Sequence, residues 1–422
     1  MNGFDARDSE LAALIETRSG RDQAVCLFAY DLERLRQHVK AVVTSLPERC
    51  RMYYAVKANS AAPILHCLAP IVAGFEVASG GEIEKVRAVD EDALILFGGP
   101  AKTQAEIRLA LKASVTRIHA ESILELYRIS EVAAEFGCEV EVLLRVNLAG
   151  PFPSSTLMMA GSTQFGIDES DLPAAIRAAT SLPGVKFVGF HLHSLSNNLS
   201  ADAHLAMLEL YRDTVMGWER TFGVTVEVLD VGGGIGINYQ NPAMPFDWLL
   251  FARLLADWVD TVPAHWGEIQ FECGRYLTAE CGHYVAEVLD VKRTHGVAWA
   301  LIRGGTHHFR LPSSWQHSHP FSVISIERWE LPLLRPTVRD QLITVAGELC
   351  SPKDVLARDV RVALLRAGDI LVFQLAGAYG WEISHHEFLS HDHPERLFLT
   401  RDSARNGEVA ARWIQEEKYF GH

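Results

Sequence analysis

The chain has 422 residues, of which 48% are hydrophobic, so it can bury the core of roughly two or three average domains or of one barrel with a smaller unit. Its formal net charge of −14, without a block of lysine and arginine, argues against nucleic-acid binding. The 7 cysteines are scattered and lack metal-type CxxC spacing, and no secretory signal or run of about 20 apolar residues occurs. These features predict a reduced, cytoplasmic protein that does not span a membrane.

Short β-like runs alternate with amphipathic stretches from residue 52 to residue 273. The strand candidates are, in order, MYYAV (52–56), GFEVA (74–78), LILF (94–97), RIHA (117–120), EVEVLLRVN (139–147), FVGFHLH (187–193), VEVLDVG (226–232) and IQFEC (269–273). Between them, segments such as GEIEKVRAV, TQAEIRLALKA and SILELYRISEVAAEFG carry apolar residues at helical spacing. This alternation predicts a (β/α)8 TIM barrel, with a doubly wound open sheet as the alternative.

The pattern changes after about residue 280. The runs HYVAEVLDVKR, VAWALIRGG, FSVISIERWE, QLITVAG and DILVFQL are β-like, with little helical periodicity between them. We therefore expect a barrel domain over residues 32–280 and a mostly β C-terminal domain over residues 281–422, which residues 1–31 join.

A lysine and a carboxylate follow the first and last strand candidates. Lys57, in YYAVKANS, follows the first, and Glu272, in FECGRY, ends the last. These strands are neighbours in a closed barrel, whose catalytic side chains collect at the carboxyl ends of the strands. Apolar flanks would lower the pKa of the Lys57 amine and make it nucleophilic towards an aldehyde such as pyridoxal phosphate, whose pyridine nitrogen Glu272 would hold protonated. The structural alternatives are a solvated lysine and a pair between Glu272 and Arg275.

Two other strand candidates end in residues suited to a phosphorylated ring. The loop LDVGGGIGINY contains Gly232, Gly233 and Gly234, whose backbone amides can approach an anion closely. In HLHSLS, His191 can stack on an aromatic ring and Ser194 can donate to a phosphate. Taken singly, a glycine run is usually a tight turn and a histidine is usually structural. Together with Lys57 and Glu272, however, these residues predict a site for an aldehyde cofactor.

Read in order, these motifs resemble the fold-type III pyridoxal-phosphate-dependent decarboxylases, which are relatives of diaminopimelate decarboxylase, ornithine decarboxylase and alanine racemase. The resemblance covers nearly the whole chain. The matching motifs are YAVKAN at Lys57, H-x-x-S at His191 and Ser194, the glycine run, E-P-G-R as Glu272-Cys273-Gly274-Arg275, C-x-x-x-D as Cys350 and Asp354, and G-A-Y-G around Tyr379. One departure is Cys273, which replaces the usual proline.

This resemblance implies that Lys57 holds pyridoxal phosphate and that Glu272, His191, Ser194, the glycine run, Gly274, Arg275 and Tyr379 bind it, without a metal ion. It also implies a homodimer in which Cys350 and Asp354 reach the partner's active site and Cys350 returns a proton to the product. Alanine racemases place an arginine where Glu272 stands, so Glu272 favours decarboxylation over racemisation.

The C-terminal half departs from diaminopimelate decarboxylases in its substrate region. Those enzymes usually carry a glutamate after the catalytic cysteine, where this chain has Ser351. Histidines are frequent here, and Arg310, His307, His385 and His386 are our candidate donors to a substrate with several carboxylates. Structural histidines and a metal site are the alternatives.

The tail GWEISHHEFLSHDHPER is similar to the decarboxylases of carboxylate-siderophore pathways, of the staphyloferrin B type. That resemblance implies a citrate conjugate of 2,3-diaminopropionate as the small-molecule substrate. Diaminopimelate or another basic amino acid is the alternative substrate. A pyridoxal-phosphate homeostasis protein is the non-enzymatic alternative, although such proteins resemble a bare barrel without the β domain.

Overall fold

The structure, a computed structural model, describes residues 9–19, 23–150, 152, 161–403 and 409–418. Parts of the expected N-terminal segment, residues 1–8 and 20–22, lie outside the described residues. The chain forms two compact units. The barrel unit comprises Arg36–Asn238 and Met244–Leu277, and the β unit comprises Met1–Leu35, Tyr239–Ala243 and Thr278–His422.

The strands and helices of the described residues are numbered in chain order. The strands are β1 Cys26–Asp31, β2 Cys50–Ala55, β3 Gly74–Val77, β4 Ile95–Phe97, β5 Arg117–Ala120, β6 Val140–Asn147, β7 Ile167–Asp168, β8 Val185–His191, β9 Val228–Asp230, β10 Glu268–Cys273, β11 Gly282–Thr294, β12 Val297–Ile302, β13 Phe321–Ile324, β14 Thr337–Ala346, β15 Val355–Arg366, β16 Ile370–Phe373, β17 Glu395–Ser403 and β18 Val409–Gln415. The helices are α1 Ser9–Arg18, α2 Leu32–Thr44, α3 Ala62–Leu68, α4 Gly80–Val89, α5 Gln104–Lys112, α6 Ile123–Phe136, α7 Leu172–Ser181, α8 Ala201–Phe222, α9 Trp248–Val259, α10 Arg275–Thr278 and α11 Leu311–Trp315. Within the described part of the chain, no helix has both the length and the apolar character that crossing a bilayer requires.

Local sequence signals set the ends of the barrel helices. Thr103 and Glu106 form a capping box at the start of α5, in which the Glu106 N–H donates to Thr103 Oγ1 at 3.2 Å and the Thr103 N–H donates to Glu106 Oε2 at 3.0 Å. Helix α6 ends at Gly137, whose φ of 61° lies in the left-handed region that glycine adopts without a steric penalty. The helices predicted for TQAEIRLALKA and SILELYRISEVAAEFG are therefore confirmed.

Parallel pairing closes the barrel. The strand order is β5-β4-β3-β2-β10-β9-β8-β6, and an additional pairing of β5 with β6 completes the ring. All eight strand candidates occur, with ends shifted by a few residues, and β7 pairs only with β6 outside the ring. The predicted (β/α)8 barrel is confirmed, and the doubly wound alternative is wrong because an open sheet would leave β5 and β6 as unpaired edges.

The β unit is built around the first strand of the chain. β1 lies between β11, with which it is antiparallel, and β17, with which it is parallel. The outer part of the sheet continues from β11 through β12 and β14 to β15, and β16 pairs with β11 and β13. Apolar side chains of α1, β1, β11, β16 and β17 form one buried core cluster, which includes Ile15, Leu27, Val285, Val372 and Leu397. The mostly β character predicted for this part of the chain is confirmed.

Some strands of the β unit were not predicted. β15, VLARDVRVALLR, is interrupted by charged residues, which are exposed in the structure at Arg358, Asp359 and Arg361. A strand with one solvent-facing side carries such residues at no cost, and apolar continuity fails to detect it. β17 and β18 were also missed, and the run FSVISIERWE forms a strand only over Phe321–Ile324.

The barrel core provides a stability prediction. Phe271, on β10, is 0% exposed, so Phe271→Ala removes a fully buried ring and leaves a cavity. We expect it to lower the free energy of unfolding by about 3–5 kcal/mol. The same change at Phe136, which is 39% exposed, should cost only about 0.5 kcal/mol. Urea unfolding followed by tryptophan fluorescence measures both variants, and equal losses would contradict this account of the core.

Candidate active site

Five ionisable side chains reach the same end of the barrel. Lys57 lies in a 3-10 turn directly after β2, Glu272 is next to last in β10, and Glu76 is next to last in β3. His191 and Asp230 are the last residues of β8 and β9. Because the ring strands are parallel, their carboxyl ends meet at one rim. These five residues lie at or just after the ends of five different strands, so closure of the barrel brings them together.

The amine of Lys57 is paired with a buried carboxylate. Lys57 Nζ lies 2.5 Å from Glu76 Oε2, and the Glu76 side chain is 5% exposed whereas that of Lys57 is 46% exposed. Burial raises the pKa of Glu76, while the charge of Lys57 lowers it and that of Glu272 raises it again. The apolar walls that the sequence analysis expected around Lys57 are therefore wrong, because the amine is half exposed and faces an acid.

His119, on β5, completes a buried cluster with Glu272, His191 and Asp230. Its Nδ1 lies 3.4 Å from Glu272 Oε1, and its Nε2 lies 3.6 Å from Asp230 Oδ2. His191 Nε2 lies 3.4 Å from Glu272 Oε2, and the two imidazole rings are 4.5 Å apart between centroids. All four side chains are buried.

Burial determines the charges in this cluster. Desolvation lowers the pKa of both His119 and His191 well below the usual range, and neighbouring positive charges, among them Arg145, lower both further. Both imidazoles are therefore neutral at pH 7. Burial raises the pKa of Asp230, and the charge of Glu272 raises it further. Two carboxyl groups thus lie in one buried cluster with two neutral imidazoles, and the pKa of one of them, Asp230, is raised.

Several polar atoms of the cluster have no hydrogen-bond partner within the described part of the chain. They are Glu272 Oε1, Asp230 Oδ2 and both ring nitrogens of His119 and His191. Each buried unsatisfied polar group costs about 1–3 kcal/mol, so such a set is typical of a ligand site. A protonated aromatic ring nitrogen would supply the donor that Glu272 lacks, and the His191 ring offers a face on which that ring can stack. The donor set therefore fits a pyridine-type cofactor.

A metal ion is the competing occupant of this cluster. Ligand atoms of His119, His191 and Glu272 all lie within 4.8 Å of one another, as metal ligands could. A metal site, however, has no use for the Lys57 amine or for a glycine loop at the same rim. These two neighbours favour an aldehyde cofactor that carries an anionic group.

The glycine loop after β9 is held by its own hydrogen bonds. The Gly232 N–H donates to Asp230 Oδ1 at 2.8 Å, and the Gly233 N–H donates to His193 Nδ1 at 3.0 Å. Gly232 and Gly234 have φ angles of 66° and 89°, which favour glycine. Two of the three amides that the sequence analysis assigned to an anion are thus used inside the barrel. The Gly234 N–H has no partner among the described residues.

Ser194 lies beside this loop. A Cβ on Gly234 would lie 2.8 Å from the carbonyl oxygen of Leu195, so the loops after β8 and β9 are in contact. Ser194 is 2% exposed, and its N–H donates to the hydroxyl of Tyr211 at 2.8 Å. Burial raises the pKa of Tyr211 to about 12, so this phenol stays protonated and anchors the loop to α8.

Gly274 allows the end of β10 to contact the turn that carries Lys57. A Cβ at this position would lie 2.7 Å from the Ala58 Cβ and 3.1 Å from the Ala55 carbonyl oxygen. Any larger residue would therefore push the Lys57 turn away from Glu272. The sequence analysis assigned Gly274 to cofactor binding, and the structure shows this additional steric reason for a glycine.

The residues on either side of Gly274 have different settings. Cys273, in the position of the family proline, is buried, and burial raises the pKa of its thiol to about 12, so the thiol is inert. Arg275 begins α10. Glu272 contacts His119 and His191, and the structural pair with Arg275 that the sequence left open is not found among the described contacts of Glu272.

Asp354 organises the loop that carries Cys350 in the β unit. Its Oδ1 accepts from the Thr306 N–H at 2.6 Å, and its Oδ2 accepts from the Leu349 N–H at 2.9 Å. Asp354 is 1% exposed, whereas Cys350 is exposed. The carboxylate of Asp354 is therefore used to tie two loops together, and this bond network holds the Cys350 thiol at the surface of the unit. A direct contact of Asp354 with substrate stays a prediction.

Tyr379, in the G-A-Y-G run, has a strained backbone. Its φ of 53° lies in the left-handed region, which is unfavourable for an aromatic residue. The neighbouring glycines allow close packing: a Cβ on Gly377 would lie 1.9 Å from the Thr278 carbonyl oxygen, and one on Gly380 would lie 2.9 Å from the Phe28 ring. Strain of this kind is concentrated at functional sites, which supports a binding role for Tyr379.

Of the candidate substrate donors, His307 is buried and His386 is half-buried in the β unit. His307 is 0% exposed, its Nε2 lies 3.7 Å from Glu348 Oε1, and desolvation lowers its pKa to about 4. His386 stacks on the Trp381 ring at 3.5 Å between centroids, and its Nε2 donates to the Trp381 carbonyl at 2.6 Å. A role for these histidines as substrate donors beside Arg310 stays a prediction.

His385 and Arg310 have a different setting. Desolvation lowers the pKa of His385, and the nearby charge of Arg310 lowers it further. The Arg310 N–H donates to Ser384 Oγ at 3.0 Å, which holds the two segments together, and the Arg310 side chain is exposed. These two residues stay available to an anionic ligand.

Sequence reasoning missed four residues of the barrel site. Glu76, His119 and Asp230 lie inside the runs GFEVA, RIHA and VEVLDVG, and His193 lies in HLHSLS. Each run places a polar side chain near the carboxyl end of a barrel strand. That placement is a usable signal, because a buried polar residue at that end has no structural need to be there.

Known proteins similar to this chain are decarboxylases of a pyridoxal-dependent family. Residues 32–279 match the family model described as "Pyridoxal-dependent decarboxylase, pyridoxal binding domain". The chain is 44% identical over 389 residues to the 2-[(L-alanin-3-ylcarbamoyl)methyl]-2-hydroxybutanedioate decarboxylase of Staphylococcus aureus, covering 92% of this chain and 97% of that one. It is 31% identical to the L-glutamyl-[BtrI acyl-carrier protein] decarboxylase of Niallia circulans, with 92% and 94% of the two chains covered.

Solved structures share the fold. A diaminopimelate decarboxylase of Helicobacter pylori, in complex with L-lysine, superposes with a TM-score of 0.80 at 22% identity and covers 96% of both chains. At 22% identity this likeness shows the fold alone, and it covers residues of both the barrel unit and the β unit.

The Lys57 assignment can be tested by spectroscopy. We expect Lys57→Ala to abolish the visible absorbance of protein-bound pyridoxal phosphate, because no other described amine occupies the rim position at β2. Lys85→Ala, which changes an exposed lysine that donates to Ser60 Oγ, is the matched control and should keep the band. A band that persists in the Lys57 variant would show that another amine holds the cofactor.

Proposed function

Because this chain belongs to the fold-type III pyridoxal-phosphate-dependent decarboxylases, we propose that its substrate is an amino acid joined by an amide to a polycarboxylate, such as citryl-2,3-diaminopropionate. The reaction breaks the bond between the carboxylate and the amino-bearing carbon, releases carbon dioxide and places a proton on that carbon. The product of the conjugate is an amine that keeps the citrate arm. Such a molecule suits the biosynthesis of a carboxylate siderophore.

The observation that carries this proposal is the likeness to the Staphylococcus aureus enzyme. Its name describes an alaninyl group bound through an amide to a hydroxybutanedioate, which is the citrate conjugate of diaminopropionate. The shared region, at 44% identity, covers 92% of this chain and so includes both units. The diaminopimelate decarboxylase of Vibrio cholerae is 30% identical over 85% of this chain, which supports the diaminopimelate alternative less strongly.

Pyridoxal phosphate, when bound, supplies a protonated ring that accepts the electron pair of the breaking bond. We assign Lys57 to its covalent attachment, Glu272 to its ring nitrogen and His191 to its ring face. Ser194, the glycine loop, Gly274, Arg275 and Tyr379 are assigned to its phosphate group. Glu272 suits its role because its neighbours His119 and His191 are neutral and leave its charge uncompensated.

Two groups have roles in proton movement. Glu76 accepts a hydrogen bond from Lys57 Nζ and, with its raised pKa, exchanges a proton with that amine. Cys350 is the candidate that returns a proton to the product carbon, since its thiol is exposed on a loop that Asp354 fixes. Asp354 would act through this loop as a positioning residue.

The proposed assembly is a homodimer with shared active sites, located in the cytoplasm. Each subunit would provide Lys57 to its own site and Cys350 to the site of its partner. Exposure of the Cys350 thiol, in a chain whose Cys26, Cys50 and Cys273 are buried or nearly so, supports an external target for this residue.

Release of carbon dioxide tests the substrate. The purified, pyridoxal-loaded protein should decarboxylate citryl-2,3-diaminopropionate at least about tenfold faster, in kcat/KM, than meso-diaminopimelate, ornithine, lysine or arginine, because only the conjugate offers the carboxylates that a dedicated site would bind. A preference for a simple amino acid would overturn the proposed substrate. No release from any of these compounds would instead favour the cofactor-homeostasis alternative.

Cys350→Ala tests proton return and the shared site together. We expect turnover to fall by about 100-fold or more, as for loss of a general acid, while the absorbance of bound pyridoxal phosphate is kept. Mixing this variant with Lys57→Ala should restore about a quarter of the wild-type activity, because half of the random dimers contain one intact site.

Cys138→Ala is the matched control, since Cys138 is also an exposed cysteine and lies outside the proposed site. It should have wild-type turnover and should not complement Lys57→Ala beyond the sum of the separate activities. If mixed dimers of the two inactive variants form and remain inactive, the shared-site proposal is wrong. Wild-type turnover in Cys350→Ala would remove Cys350 from proton return.

A further inference from the structure

We propose that a basic cavity of the β unit binds the polycarboxylate arm of the substrate through Arg310, Lys353 and Arg358. This inference rests on the proposed function, because it identifies the part of the β unit that would recognise the citrate end of the conjugate. Lys353 and Arg358 are the new residues, since neither carries a motif and neither was singled out by sequence reasoning.

The cavity has a volume of about 710 Å³, which is within the range of small-molecule sites. Its lining is basic and rich in hydroxyl groups: Arg310, Ser313, His317, Ser318, Lys353 and Arg358. Among the described residues that line it there is no aspartate or glutamate. Arg310, Lys353 and Arg358 can donate hydrogen bonds to a carboxylate, whereas the hydroxyls of Ser313 and Ser318 already donate to the carbonyls of Lys353 and Arg358.

The three cations that line the cavity have no acidic partner among the described residues, unlike several other arginines of the β unit. Arg310, Lys353 and Arg358 form no ion pair within the described residues, whereas Arg303 and Arg366 of the same unit are bound to Glu348 and Asp369. The whole chain has a net charge of −14, yet the lining of this cavity carries three cations and, among the described residues, no acid. A polyanion can therefore gain charge-assisted hydrogen bonds from all three without competition from a carboxylate of the cavity wall.

The layout of the cavity suits several separated carboxylates. Two hydrogen bonds join its walls: Ser313 Oγ donates to the Lys353 carbonyl at 3.4 Å, and the Arg358 N–H donates to Ser318 Oγ at 2.8 Å. Lys353 lies two residues before β15 and Arg358 is the fourth residue of that strand, so their backbones lie up to roughly 17 Å apart. Charges spread along such a strip fit an extended polycarboxylate better than one compact phosphate.

The cavity adjoins the loop that carries the proposed proton donor. Lys353 follows Cys350 by three residues, so their Cα atoms are at most about 11 Å apart. Asp354, next to Lys353, fixes this loop through the Leu349 N–H at 2.9 Å. An arm bound by Lys353 would therefore hold the reacting carbon of the same substrate within reach of the Cys350 thiol.

Citrate itself is the probe for this cavity. We expect calorimetry to detect citrate binding to the pyridoxal-loaded protein and to show affinity at least about tenfold weaker in the double variant Lys353→Gln with Arg358→Gln. The matched control, Lys292→Gln with Arg339→Gln, removes the same charge from exposed positions of the β unit that do not line the cavity. It should bind citrate as the wild type does, and acetate should bind weakly to all three proteins.

The rate of decarboxylation distinguishes the proposed cavity from the proposed substrate. In the cavity variant, KM for citryl-2,3-diaminopropionate should rise at least about tenfold with little change in the spectrum of the bound cofactor. Absence of citrate binding, or equal affinity in wild type and cavity variant, overturns the cavity even if the conjugate is decarboxylated. If the conjugate is not decarboxylated but citrate binds through Lys353 and Arg358, the substrate proposal fails while the anion site stands.

Discussion

The parallel pairing of β10 with β2 is the contact on which the site depends. It sets Glu272 opposite Tyr53 and Cys273 opposite Tyr54, so that the acid at the end of the last strand is next to the strand that leads into Lys57. Gly274 then allows the two strand ends to approach, since a Cβ there would meet Ala58 at 2.7 Å. Lys57 and Glu272 are more than two hundred positions apart in the sequence, and only closure of the barrel brings them into one site.

The electrostatics of the rim follow from the burial of its side chains. His119 and His191 are neutral because burial opposes their protonation, and Asp230 is driven towards its protonated form by burial and by Glu272. Buried acceptors at this rim that have no partner among the described residues, such as Glu272 Oε1, are costly unless a ligand satisfies them. In the proposed complex a protonated ring nitrogen would donate to Glu272, and the low dielectric of the buried site would strengthen that hydrogen bond.

The cations of the β unit fall into two groups, those paired with acids and those that line a cavity. Arg303, Arg335 and Arg366 are paired with acids and support the fold. Arg310, with Lys353 and Arg358, lines an open cavity without acids. His386 stacks on Trp381 and His307 lies 3.7 Å from Glu348, so both imidazoles also make contacts within the β unit.

The sequence by itself determined the strand order of the barrel, the mostly β character of the second unit and the identity of Lys57, His191 and Glu272 as a set, because periodicity and short motifs are local properties. It did not reveal Glu76, His119, Asp230 and His193, since the partners of each are distant in the chain. It also misjudged the surroundings of Lys57, because burial depends on which elements pack together. Only the tertiary structure decided these settings, for exposure, pKa and pairing arise from contacts between segments that no local pattern encodes.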